Sequence, residues 1–148
     1  MYKKVDILDF EFVTPRNTPE QTLLSTDPDD PTVVAEITFE DCLGPKDIIW
    51  LNSIFHIDND NTLNVVSITH QILKNGTPIY TSITEVDREL NDDFGQIFSQ
   101  QYVDEFSDFE NGVTYEVVAY SSNSNVFLQG PITFTGTKLF FKYKETDC

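Results

Sequence analysis

QILKNGTPIYTSIT, residues 71–84, sets a two-residue polar turn between two runs in which apolar and polar side chains nearly alternate. The turn is Asn75-Gly76, a pair that suits a type I′ turn because both central positions need a positive φ, which Asn and Gly tolerate best. The stretch therefore predicts a β-hairpin. Pro78 lies in the return strand and has no N–H to donate, so we expect it at the start of that strand or on the edge of a sheet.

The two-residue period continues upstream of this hairpin. VDILDFEFV and VVAEITF alternate apolar with polar residues, whereas DIIWLNSIFHID is apolar enough for a central strand covered on both faces. Immediately before the turn, LNVVSITHQIL places Val66, Ile68 and Ile72 on one face, with His70 among them. These segments predict strands with one side turned to a core.

Downstream, IFSQQYVDEF and VTYEVVAY resume the alternation after residues 85–98, which predict a helical turn or an acidic loop. Gly130-Pro131 is expected to divide VFLQGPITFTGTKLFFKY into two strands, since this pair interrupts regular structure. Eight or nine short strands result, with no long segment of helical period between them.

This pattern predicts an all-β fold: an antiparallel β-sandwich of eight or nine strands with a jelly-roll-like arrangement. An immunoglobulin-type sandwich is the nearest alternative. Its cysteine pair around a core Trp is not visible, since Cys42 precedes Trp50 but Cys148 follows the last strand. The length fits a single domain over residues 1–148.

Residues 1–31 have the composition of an N-terminal strand arm and linker. The first strand, over residues 5–13, is followed by the long connection TPRNTPEQTLLSTDPDDPT before the next strand. A loop of this length without structure of its own is uncommon in a compact domain, so the strand can pair with an exposed edge of a neighbouring copy. The alternative is that it pairs within its own sheet and the loop crosses the sandwich.

Charge excludes two classes of partner. Nine Lys and Arg residues against 25 Asp and Glu residues give a net charge of −16, which repels nucleic acid and anionic membrane surfaces. No apolar run approaches the roughly 20 residues of a membrane span. The start MYKKVDILDFEF lacks the features of a signal peptide, so we expect a chain that is not exported by that route.

No motif for catalysis or cofactor binding stands out: GxGxxG, a P-loop, HExxH and GxSxG are all missing. We therefore expect no enzyme, no catalytic residue and no cofactor. DNDNT, residues 58–62, could direct the oxygens of Asp58 and Asp60 at calcium, but an EF-hand loop would need Gly and Glu where Leu63 and Thr69 stand. An inter-strand turn explains DNDNT equally well.

Two further pairs of residues could bind or cross-link. His56 and His70 lie on neighbouring predicted strands and could face one another as half of a metal site, or be ordinary strand residues. Cys42 and Cys148 allow one intrachain disulfide, or a buried free Cys42 with an exposed Cys148 that joins to another chain. We assign no metal site from these patterns.

The chain also resembles a known group of proteins. EITFEDCLGPKDIIWLNSIFHI, THQILKNGTPI and GVTYEVVAYSSNSNVFLQGPITFTGTKL follow one another in an order similar to that of small, mostly uncharacterised β-domains of spore-forming bacteria. More loosely, they resemble jelly-roll subunits of spore surfaces and endospore appendages. Those proteins are usually richer in cysteine, including a Cys near the tYxV strand where this chain has Val113 and Thr114.

The resemblance implies a non-enzymatic structural protein that assembles on a surface, as a homo-oligomer or with other surface proteins. It also implies synthesis in the cytoplasm and deposition on the spore surface. The alternative hypothesis is a carbohydrate- or calcium-binding β-sandwich module, with Trp50 or the Tyr residues as a stacking platform and Asp58 and Asp60 as ligands.

Overall fold

The computed structural model describes residues 2–16, 18, 20–63, 65–88 and 95–144. Every regular element within these ranges is a β-strand, as the sequence predicts. The nine strands are β1 (Tyr2–Arg16), β2 (Gln21–Leu23), β3 (Thr32–Leu43), β4 (Asp47–Asn59), β5 (Val65–Lys74), β6 (Thr77–Asp87), β7 (Gln96–Glu105), β8 (Glu110–Ser121) and β9 (Val126–Lys144).

The strands form two antiparallel sheets that face one another. The first sheet has the order β1-β9-β4-β7, with the short β2 beside β1 on the same edge of β9. The second sheet has the order β3-β8-β5-β6. Strand pairs are nested: β5 pairs with β6, β4 with β7, β3 with β8 and β2 with β9. This nesting is that of a long hairpin rolled into a sandwich, which confirms the all-β jelly-roll prediction.

The hairpin that opened the sequence argument joins β5 to β6. Asn75 has φ 48° and Gly76 has φ 84°, the two positive values that a type I′ turn requires. Pro78 lies opposite Leu73 at a bulge, in a strand that pairs only with β5. The hairpin and the edge position of Pro78 are therefore confirmed.

Two sequence predictions about strands were wrong. β9 is one strand through Gly130-Pro131, because Pro131 falls at a break in pairing on both edges and no ladder hydrogen bond is lost there. β4 is central in its sheet but covered on one face only: Trp50 and Ile54 are exposed on the other. The uncertain stretch 85–98 ends β6 and begins β7, and residues 89–94 lie outside the described part.

The core lies between the sheets and draws on inward positions of both. Its largest fully buried side chains are those of Tyr115, Phe39, Phe55, Phe134, Leu43, Ile49, Leu51, Ile57, Ile68, Ile72, Ile132 and Val66. The face predicted for β5 is confirmed, including the burial of His70 within it. One face of each sheet therefore remains free to meet solvent or another molecule.

Candidate functional site

The structure separates the two histidines that the sequence placed on neighbouring strands. His56 is on β4 and turns away from the core, where its Nδ1 lies 3.3 Å from the carbonyl oxygen of Gly130. His70 is on β5, in the other sheet, and is buried in the core. The alternative in which the two rings face one another does not hold, because β4 and β5 follow each other in sequence without sharing a sheet.

Both ring nitrogens of His70 have a hydrogen-bond partner. Its Nδ1 donates to Gln100 Oε1 at 2.7 Å, and its Nε2 lies 3.3 Å from Thr84 Oγ1, a hydroxyl that can donate or accept. Burial lowers the pKa of His70, and the bond to Gln100 offsets part of that effect. Rings of Phe55 and Phe98 pack edge-on against it. These contacts are those of a core residue.

The DNDNT stretch forms an inter-strand turn. The Asn59 side chain donates to the carbonyl of Val86 at 3.1 Å and accepts from the backbone N–H of Asn61. Asn61 in turn donates to the carbonyl of Ser124 at 2.6 Å. Between them the two amides fix the backbone, which is the turn interpretation of the sequence.

The carboxylates of this turn point elsewhere. Asp58 Oδ2 accepts a hydrogen bond from Gln21 Nε2 at 2.9 Å, which ties β4 to β2, while Asp60 is exposed. Across the described ranges, His, Cys, Asp and Glu side chains nowhere gather in threes as a metal ion would require.

A buried ionic cluster inside the sandwich was missed from the sequence. Lys74 Nζ lies 3.0 Å from Asp104 Oδ2 and 2.7 Å from Glu110 Oε2, and the Tyr115 hydroxyl donates to Asp104 at 2.6 Å. The ammonium also lies 4.0 Å from the centre of the Phe106 ring. The sequence did contain a sign of this burial. Along β7 every second residue faces inward, and Asp104 falls at one of these positions together with Phe98, Gln100, Tyr102 and Phe106.

Electrostatics in this cluster favour one fixed protonation state. Burial alone lowers the pKa of Lys74, but its bonds to Glu110 and Asp104 outweigh burial, so the net pKa lies above the ordinary value. Burial and the Asp104 carboxylate raise the pKa of Tyr115. Both pKa shifts favour a charged Lys74 and a neutral Tyr115 near neutral pH, so these two groups make a steady ionic and hydrogen-bonded contact between the sheets.

An exposed apolar surface covers the outside of the first sheet. Side chains of directly opposed residues share a face, and Phe10 opposes Thr137, Thr137 opposes Trp50, and Trp50 opposes Val103. The neighbouring rows add more exposed apolar side chains, and we name the set the outer apolar face: Ile7, Phe10, Phe12, Trp50, Ile54 and Val103. The rings of Phe10 and Phe12 stack within it at 5.8 Å.

The sequence contained a sign of this face that was interpreted differently. DIIWLNSIFHID is apolar at outward as well as inward positions, which indicated a strand covered on both faces. The strand is instead covered by its own chain on one side only. Trp50, named as a possible stacking platform, is 45% exposed at the centre of this face.

The outside of the second sheet has the opposite character. Glu36 and Glu116 lie directly opposite each other on β3 and β8, a like-charge pair that the exposed surface tolerates. Further acidic residues extend this face, namely Glu40, Glu85 and Asp87. The two outer surfaces of the sandwich thus differ sharply in charge.

β1 is attached to the sandwich through a long backbone ladder. Twelve residues of β1 have partners in β9, from Tyr2 opposite Lys144 to Arg16 opposite Ile132. Among the described side chains of β1, Val13 is the one that packs against the core, whereas Ile7, Phe10 and Phe12 point outward. The predicted arm therefore pairs within its own sheet in this structure, and Val13 anchors it to the core among the side chains that the structure describes.

Cys42 is exposed and carries a free thiol. It lies in β3 at a bulge opposite Asn111, so of the alternatives left open by the sequence, a buried Cys42 does not hold. Cys148 lies outside the described residues. As for membranes, a search of the described part of the chain finds no helix long and apolar enough to cross one.

Comparison with known proteins gives a likeness of fold. No family model matches the chain, and no curated protein matches it. A chain from the crystal structure of the T13 IBDV viral particle is similar with a TM-score of 0.52 and 9% identity, over 94% of this chain and 34% of that one. A chain from infectious bursal disease virus Gx strain is similar with a TM-score of 0.50 and 9% identity, over 95% of this chain and 37% of that one.

This chain spans about a third of the length of the chains it matches. At 9% identity the similarity shows a shared β-sandwich and nothing finer.

Proposed function

We propose that the protein is a non-enzymatic structural subunit that self-associates by exchanging β1 between copies. The observation that carries the proposal is the way β1 is held: a long backbone ladder to β9, with Val13 as the described side chain that packs on the core. An identical ladder forms when β1 of one copy pairs with β9 of another. Domain swapping of this kind costs little, because every contact of the closed form is remade.

Two other findings support a structural role. The solved chains with the same fold belong to viral particles, which is a structural setting. The order of motifs resembles that of spore-surface β-domains, and on that basis we propose deposition in a surface layer of this kind. Inside the sandwich Lys74 pairs with Asp104, and His70 hydrogen-bonds Gln100, so these polar groups are engaged in contacts that hold the fold together.

The test compares the full chain with a chain that begins at Glu20. This start removes β1 but keeps Leu24, which is buried and whose N–H donates to the carbonyl of Val126 at 2.8 Å. A start at Thr32 would remove Leu24 and damage the core. The shortened chain should fold, expose the edge of β9 at residues 132–144, and bind a labelled peptide of residues 2–16 but not a scrambled peptide.

With reductant present, oligomers of the full chain should exchange subunits, and an excess of the same peptide should dissociate them. Light scattering coupled to size-exclusion chromatography measures the mass, and fluorescence anisotropy measures peptide binding. A folded shortened chain that ignores the peptide, beside a full chain whose oligomers the peptide leaves intact, would refute strand exchange.

A further inference from the structure

The outer apolar face stands apart from the strand edge that β1 exchange would use. Two rows of opposed residues run across the four strands in its middle. The first row is Phe10, Thr137, Trp50 and Val103, and the second is Phe12, Thr135, Asn52 and Gln101. None of these eight residues carries a charge, in a chain of net charge −16. Exposed contiguous apolar surface of this kind usually marks an interaction site.

The dimensions of the face are compatible with a weak specific interface. Four strands spaced by about 4.8 Å give a width of about 15 Å, and the rows from Ile48 to His56 extend over about 27 Å. The product is roughly 400 Å² of plane for each copy, before the relief of the side chains is added. The pair would bury about 800 Å² in total, less than the roughly 1,200 to 2,000 Å² of stable complexes, so we expect weak association at micromolar concentrations or above.

Charge decides what can cover this face. A basic partner would be drawn to the acidic outside of the second sheet, around Glu36 and Glu116, and not to these neutral rows. A second copy is different: its own outer apolar face is of equal size, and its middle rows also carry no charge. When two copies stack through these faces, the acidic sheets point outward on opposite sides of the dimer, where repulsion between them is least.

We propose that the outer apolar face binds the same face of a second copy, sheet on sheet, around a twofold axis. Each copy contributes the same rows, so one contact buries both sets of apolar side chains. Two sheets pack in this way about 10 Å apart with their strands nearly aligned. The inference rests on the proposed structural role and adds a second contact to it, since the face is complete whether β1 belongs to the same copy or to an exchanged one.

The response to salt separates this contact from an electrostatic one. Two copies of net charge −16 repel each other, and added salt screens that repulsion while leaving apolar contacts in place. Association should therefore strengthen several-fold between about 0.05 M and about 0.5 M sodium chloride. Association through opposite charges would weaken over the same range.

The experiment uses the full chain with reductant, in sedimentation equilibrium from about 1 µM to about 300 µM. Val103→Glu places a charge beside Trp50 in the same row of the face and should weaken dimerisation at least tenfold. Ile83→Glu is the matched control, because Ile83 is 68% exposed on an edge strand at the outside of the second sheet. It should leave the dissociation constant unchanged within about twofold.

The fluorescence of Trp50 reports dimer formation without any substitution. Trp50 is the single Trp of the chain and lies at the centre of the face, so its emission should shift to shorter wavelength as the dimer forms. Far-ultraviolet circular dichroism checks that Val103→Glu is folded. Should that variant unfold, Thr137→Glu replaces it in the same row of the face.

The outcomes separate the two proposals. Val103→Glu leaves the ladder between β1 and β9 intact, so loss of the dimer with continued binding of the peptide 2–16 supports both contacts independently. A chain that stays monomeric at every salt concentration overturns the stacked dimer, as does equal weakening by Ile83→Glu. A protein that stays monomeric but whose Trp50 emission shifts with soluble β-glucan or with vesicles of neutral phosphatidylcholine also overturns the stacked dimer. That outcome would identify the added ligand as the molecule that binds the face.

Discussion

Asp104 is a single carboxylate that joins three strands. It lies on β7 and binds Lys74 of β5 and Tyr115 of β8, so it bridges the first sheet to the second. Only 7% of Asp104 is exposed, so its bonds form in a medium of lower dielectric constant than water. A polar residue at this core position is tolerated because both of its partners supply a donor: the buried Tyr115 hydroxyl and the partly buried Lys74 ammonium.

We predict that Asp104→Asn lowers the free energy of unfolding by about 2 to 3 kcal/mol, since hydrogen bonds to a buried charge contribute about that much. Lys74 keeps Glu110 as its partner, which limits the loss. Urea denaturation measures the effect. Glu105→Gln, an exposed neighbour on the same strand, is the control and should change stability by no more than about 0.5 kcal/mol. Equal effects of the two substitutions would contradict a bridging role.

His70 links stability to pH through a pKa below its ordinary value of 6.5. The folded protein keeps the ring neutral, whereas the unfolded chain binds a proton once the pH falls below about 6.5. Its contribution to stability is therefore complete above that pH and is lost progressively as the pH falls toward the folded pKa. The slope cannot exceed about 1.4 kcal/mol per pH unit for one proton.

We predict that His70→Gln makes the dependence of unfolding free energy on pH shallower between about pH 7.5 and about pH 5. His56→Gln is the comparison: burial lowers the pKa of His56 also, but this ring is only partly buried, and its effect on the slope should be smaller. Urea denaturation across this range supplies the slopes. An unchanged slope in His70→Gln would show that the buried ring does not control the response.

At the scale of the strand, β9 is central to the architecture. It pairs with β1 and β2 on one edge and with β4 on the other, so it connects the N-terminal residues to the middle of the sheet. Gly136 lies where β9 approaches the second sheet. A Cβ atom at this position would lie 2.7 Å from Ile37 Cδ1 and 2.9 Å from the Phe39 ring.

We predict that Gly136→Ala destabilises the fold by about 1 to 3 kcal/mol, because the added methyl group must displace the Phe39 ring in a closely packed core. Thermal and urea denaturation measure the change. Thr135→Ala, one residue earlier and on the outer side of the same strand, should cost less than about 0.5 kcal/mol. A Gly136→Ala protein as stable as the unchanged chain would mean that the two sheets can move apart at this point.

Sequence patterns predict individual strands better than they predict partners. The hairpin at Asn75-Gly76 was predicted because turn chemistry is local, and the core face of β5 because alternation of period two is local. The separation of His56 from His70 was not, because it depends on which strands share a sheet. Burial of Asp104 was missed for a similar reason, since its partners come from distant strands and an Asp residue is usually exposed.

At the scale of the whole molecule, the same limit applies to the candidate surfaces. The sequence gives a net charge of −16 but not its distribution, and the sheet order brings Glu36 beside Glu116 while leaving Trp50 among neutral neighbours. An apolar side chain at an outward position looks like a core residue until the sheet to which it belongs is known. The two contacts proposed for assembly could be located only after the strands had been placed.

The nested order of pairing also determines when each strand can find its partner as the chain is synthesised. β5 and β6 can close at once around their turn, but β3 must wait for β8, and β1 and β2 must wait for β9. Pairs so distant in sequence form slowly, and open strand edges persist on the growing chain in the meantime. Repulsion between the many carboxylates opposes the association of such incomplete chains. When several ribosomes translate one message, a strand that is still unpaired on one nascent chain can pair with the open strand edge of a neighbouring nascent chain.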